Sequence, residues 1–336
     1  MKIAIFRALQ LGDLLCAIPA ARAIRGAYPD ARVALVGLPW ARELAMRFST
    51  YFDGFLEFPG FPGLPEHRPD FARIPRFFEE AGRERFDLVL QMHGSGELTN
   101  PLAVLMGGAL TAGFYRPGRY RPDRQRFFAW RDREHEVLRW LRLARELGIE
   151  PRGVELEFPL DERDWADWRK LALGDYAVLH AGSQLASRRW PAQRFAEVGD
   201  ALAAEGLQIV LTGTAGEASL TREVQRAMRE PAIDLAGRTP LGALAAVIAK
   251  ARLLVCNDTG VSHIAVATLT PSVVVACGSD PARWAPLDRE LHRVLAHPVP
   301  CRPCEFRECP VGHACAVNIS ARDVLRETRR ALLCAA

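Results

Sequence analysis

The sequence predicts an α/β protein of two doubly wound parallel-sheet domains facing a central cleft. Three observations lead there. Short apolar runs alternate with longer amphipathic ones along most of the chain, the rhythm of βα units whose parallel strands are covered by helices on both faces. That rhythm starts twice, at Lys2 and again at Tyr176. The chain has 336 residues, more than one hydrophobic core usually holds, so two domains of about 150 residues each are the natural division.

Taken in order, Lys2–Phe6 reads as a strand and 13–28 as a helix stopped by Pro29. Arg32–Gly37 is a second strand, followed by a helix over 41–48. A strand at 87–92 leads to a helix at 101–106. The segment 135–147 is amphipathic, with Val137, Leu138, Leu141, Ala144 and Leu147 at helical spacing. The second series pairs the strand Tyr176–His180 with the helix Ala192–Ala204, and the strand Gln208–Leu211 with a helix at 218–228. The helix Leu241–Lys250 follows, then a strand at 253–256, a helix at 261–268 and a strand at 272–276. The two series meet within 153–164, which divides the chain into domains 1–158 and 159–336.

Composition narrows the function. Hydrophobic residues make up 49% and charged residues 25%, ordinary for a globular protein. No apolar run reaches the roughly 18 residues of a membrane span. The N-terminal stretch imitates a signal peptide, but Arg7 and Asp13 interrupt it, so a cytoplasmic protein is expected. The net charge of +4, from 44 basic and 40 acidic residues, does not indicate a nucleic-acid binder. Between Arg116 and Arg133, however, seven arginines face two aspartates. That stretch is either a solvated loop or a rim that attracts an anionic substrate. Neither half carries G-x-G-x-x-G after a strand, and a Walker A sequence is missing. Both facts argue against nicotinamide, flavin and P-loop chemistry, and no cofactor is expected.

Four motifs fall at strand ends, where ligands of such sheets bind. Leu11-Gly12-Asp13 lies between the first strand and first helix. Gly12 permits a tight turn and close ligand approach. Asp13 is either a helix N-cap or a general base kept ionised by the helix dipole. His93-Gly94-Ser95-Gly96 ends another strand, and its exposed amides with His93 and Ser95 offer acceptor contacts or answer a turn requirement. His180-Ala-Gly-Ser183 runs on to Ser187-Arg188-Arg189-Trp190-Pro191. Ser183 and the backbone after Gly182 can face phosphate, and the Arg188 guanidinium can bind its oxygens bidentately. Asn257-Asp258-Thr259-Gly260-Val-Ser-His263 passes from strand to helix through Gly260, and such a helix N-terminus is an anion site. Against this, Asp258 could be an N-cap and His263 a core histidine.

Four of eight cysteines cluster as Cys301-x-x-Cys304-x4-Cys309-x5-Cys315, with His313 nearby. A zinc site, a disulfide and free thiols in a tight loop are all compatible with that spacing. Cys16, Cys256, Cys277 and Cys334 read as small buried residues.

The ordered set of motifs resembles glycosyltransferase family 9, which contains the ADP-heptose:lipopolysaccharide heptosyltransferases. It comprises the opening strand with Leu-Gly-Asp, the turn at 187–191, the Asn-Asp-Thr-Gly-x-x-His turn and the cysteine-bearing tail. The resemblance implies a GT-B fold of two Rossmann-like domains, with acceptor on the first and nucleotide-sugar donor on the second. It implies inverting transfer without a metal. Asp13 matches the base, while Asp258, Thr259, Gly260 and His263 match the donor turn. Arg188 stands where members usually carry a lysine toward the diphosphate, a change of geometry as well as residue. The implied donor is a nucleoside-diphosphate sugar such as ADP-heptose. The implied acceptor is a lipopolysaccharide core or another anionic glycan or glycolipid, met at the cytoplasmic face of the inner membrane by peripheral contact. Competing expectations are a nucleotide-sugar epimerase of the same architecture and a non-catalytic nucleotide-sugar- or glycan-binding module.

Overall fold

The computed structural model of the chain describes residues 1–334. They form two compact units, Met1–Pro159 and the residues from Leu160 onward. The first unit contains β1 (Lys2–Phe6), α1 (Leu11–Ala27), β2 (Arg32–Gly37), α2 (Ala41–Arg47), β3 (Gly54–Glu57) and α3 (Ile74–Glu84). It continues with β4 (Leu88–Gln91), α4 (Thr99–Leu105), β5 (Leu110–Tyr115), β6 (Phe127–Ala129) and α5 (Glu136–Glu146). The second contains α6 (Glu162–Lys170), β7 (Tyr176–His180), α7 (Ala192–Ala204), β8 (Gln208–Leu211), α8 (Ala218–Ala227), β9 (Ala232–Asp234) and α9 (Leu241–Lys250). It closes with β10 (Leu253–Asn257), α10 (Gly260–Ala267), β11 (Ser272–Val275), α11 (Pro281–Trp284), β12 (His292–Leu295), α12 (Ala314–Val317) and α13 (Ala321–Cys334).

Each unit holds a six-stranded sheet, ordered β3-β2-β1-β4-β5-β6 in the first and β12-β11-β10-β7-β8-β9 in the second. All the strand pairings are parallel. Counted within its own unit, each sheet therefore runs 3-2-1-4-5-6, the Rossmann order. The central strands are covered on both faces, which is why β4 and β10 read as unbroken apolar runs. The order reverses between β1 and β4 and again between β7 and β10. A crevice opens at such a reversal, beyond the carboxyl ends of the strands, and all four sequence motifs follow one of these four strands.

Several boundaries differ from the sequence reading. Helix α1 begins at Leu11, so Gly12 and Asp13 lie inside its first turn rather than in a connecting loop. Pro19 sits within α1 without ending it. Pro191 is the N-cap of α7 instead of its first residue. Cys334, expected to be buried, is exposed. The chain before Pro159 is fastened to the first unit. The Tyr51 hydroxyl donates to Glu157 Oε2 at 2.6 Å, Arg22 pairs with Glu157, and Arg47 donates to the Pro159 carbonyl at 2.8 Å. Burial and the neighbouring Glu157 carboxylate push Tyr51 up to about 12. Asp161 then opens the second unit by capping α6, in a reciprocal box with Asp164.

Candidate active site

In the first unit the site is organised by Arg7, the residue after β1. Its side chain is fully buried and touches three segments. Nε donates to the Asp13 carbonyl at 2.7 Å, one terminal nitrogen donates to the Met92 carbonyl, and the other reaches Glu136 Oε1 at 3.0 Å. That last nitrogen also lies 3.7 Å from Asp13 Oδ1, and the guanidinium stacks 4.6 Å above Trp140. Glu136 in turn pairs with Arg139 and accepts from Trp140 Nε1 at 2.9 Å. A buried charge needs such complete pairing to be tolerated. The result is that the first turn of α1 is pinned to the loop after β4 and to α5.

Asp13 is the third residue of α1, and its side chain remains one-fifth exposed. The N-cap is Gln10, which makes no side-chain capping bond. The cap reading of Asp13 is thereby corrected: the helix starts earlier, and the carboxylate is left at a first-turn position facing the strand ends. Gly12 precedes it there. His93 is buried after β4, with its ring 5.5 Å from that of Phe6. Its Nε2 lies 3.8 Å from Glu66 Oε1, and neither ring nitrogen has a hydrogen-bond partner. Gln10 donates to the Glu66 carbonyl at 3.4 Å. Gln10, the N-cap of α1, Glu66 and His93 thus form a polar cluster. Glu66 was not singled out in the sequence, because it lies in a long Pro- and Gly-rich connection without a periodic signal. Ser95 is half-buried between two left-handed glycines. A side chain at Gly96 would run into Asn100 and the Phe114 carbonyl, so the turn requirement explains that glycine.

In the second unit Asn257, at the end of β10, joins the two strand-to-helix turns. It is fully buried, accepts from the Trp190 amide at 2.9 Å and donates to the Ala181 carbonyl at 2.7 Å. Thr259 is the N-cap of α10, with its hydroxyl buried and without a partner. The N-cap reading of Asp258 is therefore corrected by one residue. Burial pushes the Asp258 carboxyl up from its ordinary range, while the Ser279 hydroxyl and the Arg188, Arg302 and Arg289 guanidinium groups act against that. The structure thus brings Arg188 and Asp258 into electrostatic reach at the start of α10, where Gly260 contributes the first helical amide. His263 lies one turn further along, buried, with its ring 6.3 Å from Trp284. Ser183 is buried and its carbonyl accepts from Arg189, not Arg188, at 2.9 Å.

The cysteine segment has a structural part in this site. Arg188 donates to the Cys304 carbonyl at 2.9 Å, and the Cys304 amide donates to Gly278 at 2.7 Å. The Ser187 hydroxyl donates to the Phe306 carbonyl, and His313 Nε2 lies 2.8 Å from the Ser187 carbonyl. The loop therefore buttresses the short helical turn Ala186–Arg188. Cys301, Cys304, Cys309 and Cys315 are all free thiols. Among the described residues no three His, Cys, Asp or Glu side chains converge as a metal shell. The four thiols lie in a packed loop, in which Cys309 Sγ accepts from the His313 amide at 3.1 Å. One further residue of interest is Glu217. Its carboxylate lies against Gly182, leaving no room there for a side chain, and it closes a capping box with Thr214. The Thr-x-x-Glu spacing was the available signal.

Two Rossmann-like units, each with a donor-rich turn at its sheet reversal, define the architecture of GT-B glycosyltransferases. An Escherichia coli ADP-heptose lipopolysaccharide heptosyltransferase II structure shares the fold, with a TM-score of 0.78 at 21% identity, covering 100% of this chain and 99% of that one. A family 9 glycosyltransferase from Veillonella parvula gives 0.79 at 21% identity, over 99% and 97%. The chain belongs to glycosyltransferase family 9 (heptosyltransferase), whose sequence profile matches residues 74–315. It is 25% identical to lipopolysaccharide heptosyltransferase 1 of Pseudomonas aeruginosa over 342 aligned positions, covering 92% of this chain and 87% of that protein. It is 28% identical to lipopolysaccharide heptosyltransferase 3 of E. coli over 212, and that match spans only 60% of the relative's length. No described helix is long and apolar enough to cross a membrane.

Proposed function

We propose that the protein transfers a heptose from ADP-heptose onto a lipopolysaccharide core or related glycan acceptor, with inversion at the anomeric carbon. The relatives' names supply the donor and acceptor classes. The observation that carries the reading is the meeting of Arg188, the buried, unpartnered Thr259 hydroxyl and the amide end of α10 at one sheet reversal. A guanidinium and a helix N-terminus at one point suit a diphosphate.

In this reading the second unit, from Leu160, binds the donor through Ser183, Arg188, Asp258, Thr259, Gly260 and His263. The first, Met1–Pro159, binds the acceptor near Gly12, His93 and Ser95. Asp13 takes the proton of the acceptor hydroxyl as its oxygen bonds to the anomeric carbon. The bond from that carbon to the diphosphate breaks on the opposite side, and ADP leaves with the electron pair. Arg188 and the first amides of α10 stabilise the charge that develops on the leaving oxygen. Guanidinium and amides supply this stabilisation, so no metal is required and EDTA leaves turnover unchanged. The work is done in the cytoplasm, on an acceptor held at the membrane face.

The test is Asp13→Asn, assayed after a screen of ADP-, UDP-, GDP- and dTDP-sugars has fixed the donor. Asn does not accept the proton, so kcat should fall about 10²–10⁴-fold, with melting temperature and ADP affinity near wild type. Near-normal turnover of the folded variant would refute the mechanism. Epimerised donor formed without acceptor would refute the transfer itself.

A further inference from the structure

The outward side of α4 combines two features that its fold does not use. Leu98, Val104 and Leu105 are 46%, 40% and 61% exposed, and Pro101 is exposed with them. Leu98, Pro101 and Leu105 are three and four residues apart, so they stand on successive turns of one side, with Val104 beside Leu105. Beside the helix start runs the arginine-rich segment between Arg116 and Arg133, with seven arginines against two aspartates. Arg116 and Arg119 hold Glu97, next to Leu98, at 3.2 and 3.0 Å. Those pairs tie the basic segment to the apolar stripe. Arg121 and Arg124 are exposed, and Tyr120 between Arg119 and Arg121 is 54% exposed.

We propose that this surface docks the protein on an anionic phospholipid bilayer. The leucines and Val104 enter the headgroup–acyl boundary, Tyr120 lies at headgroup level, and the guanidinium groups meet lipid phosphates. An apolar stripe bordered by arginines and an amphipathic aromatic ring is the pattern of an interfacial segment. The charge chooses the lipid: a net positive loop gains nothing from a neutral surface, and each basic group near an anionic one is worth about fivefold in partition. Four apolar side chains also cover far less than the ~800 Å² per partner of a standard protein interface, which disfavours a second protein as the occupant. The inference does not depend on the chemistry at Asp13.

The experiment is sedimentation of the whole protein with vesicles of phosphatidylcholine alone and of phosphatidylcholine with a quarter phosphatidylglycerol, at low and high salt. The wild type should bind the anionic vesicles at low salt and release as salt rises. Arg121→Gln with Arg124→Gln should weaken partition about 25-fold. Leu105→Gln should weaken it about tenfold. Both variants should melt like wild type, because these side chains are exposed. Equal binding to neutral and anionic vesicles, absence of binding at low salt, or unaltered partition of folded variants would overturn the proposal. So would a self-association in the ultracentrifuge that Leu105→Gln abolishes, since the occupant would then be a second copy.

Discussion

At the scale of residues, Arg188 and Asp13 differ in how much their surroundings constrain them. Arg188 is anchored by one nitrogen to the Cys304 carbonyl, while its Nε is buried without a partner. A guanidinium with spare donors is ready to take an anion without first breaking a strong contact. Arg188→Ala should therefore weaken ADP binding by about 1.5–3 kcal/mol, the usual worth of a hydrogen bond to a charged group. Titration calorimetry reads this directly, and unchanged ADP affinity in a folded variant removes Arg188 from the donor site. The sequence made Arg188 visible because two adjacent arginines before Trp-Pro have little to do in a core. It could not show that the Ser183 carbonyl accepts from Arg189. It also could not separate Asp13 the cap from Asp13 the first-turn carboxylate, because that depends on whether the helix starts at Leu11 or at Leu14.

At the scale of elements, central strands and their helices were readable and edges were not. β1, β2, β7 and β8 carry continuous apolar runs because both faces are covered, and their bounds match the expected ones. β3, β6 and β9 are three or four residues long at or near sheet edges, with mixed exposure. So short a run leaves no period to detect. Helix α13 is amphipathic, yet it follows the cysteine segment and was eclipsed by it. The turns are bound to one another by Asn257, a residue whose part is invisible without coordinates. Asn257→Ala leaves the Trp190 amide and the Ala181 carbonyl without a buried partner. The loss should be about 2–4 kcal/mol by urea denaturation, accompanied by weaker ADP binding. A stability change under about 0.5 kcal/mol would mean that water replaces the side chain and the two turns are not coupled through it.

At the scale of the whole molecule, buried imidazoles contribute to the response to acid. His292 is buried on β12 with Nδ1 2.9 Å from the Ser272 hydroxyl. Burial pushes it down from 6.5 to about 4, against the pull of Asp288. Above pH 6.5 both folded and unfolded chains hold it neutral, and its contribution is complete. Between pH 6.5 and 4 the unfolded chain binds a proton that the folded chain refuses, so stability falls as pH falls. The loss from this residue is about 3 kcal/mol. His180, also pushed down by burial, adds in the same direction. Asp258, a carboxyl pushed up, opposes it at the acid end. His292→Asn keeps a polar partner for Ser272 and should flatten the unfolding free energy between pH 7 and 4.5 relative to wild type. Identical slopes for the two proteins would assign the acid response elsewhere.

The position of α13 also bears on how the molecule is made. Its buried Val324, Thr328 and Ala331 lie on one side, and Val324 and Ala331 share a core with Trp190 and strands β7, β8, β10 and β11. The first unit has every strand and α5 in hand by Pro159. The second begins its sheet at Tyr176 but lacks this cover until Ala331 has been added. At about 5–20 residues per second, the apolar face of a growing parallel sheet waits roughly ten to thirty seconds during synthesis. Nascent chains of this protein should accordingly be most dependent on chaperones while the second half is being translated.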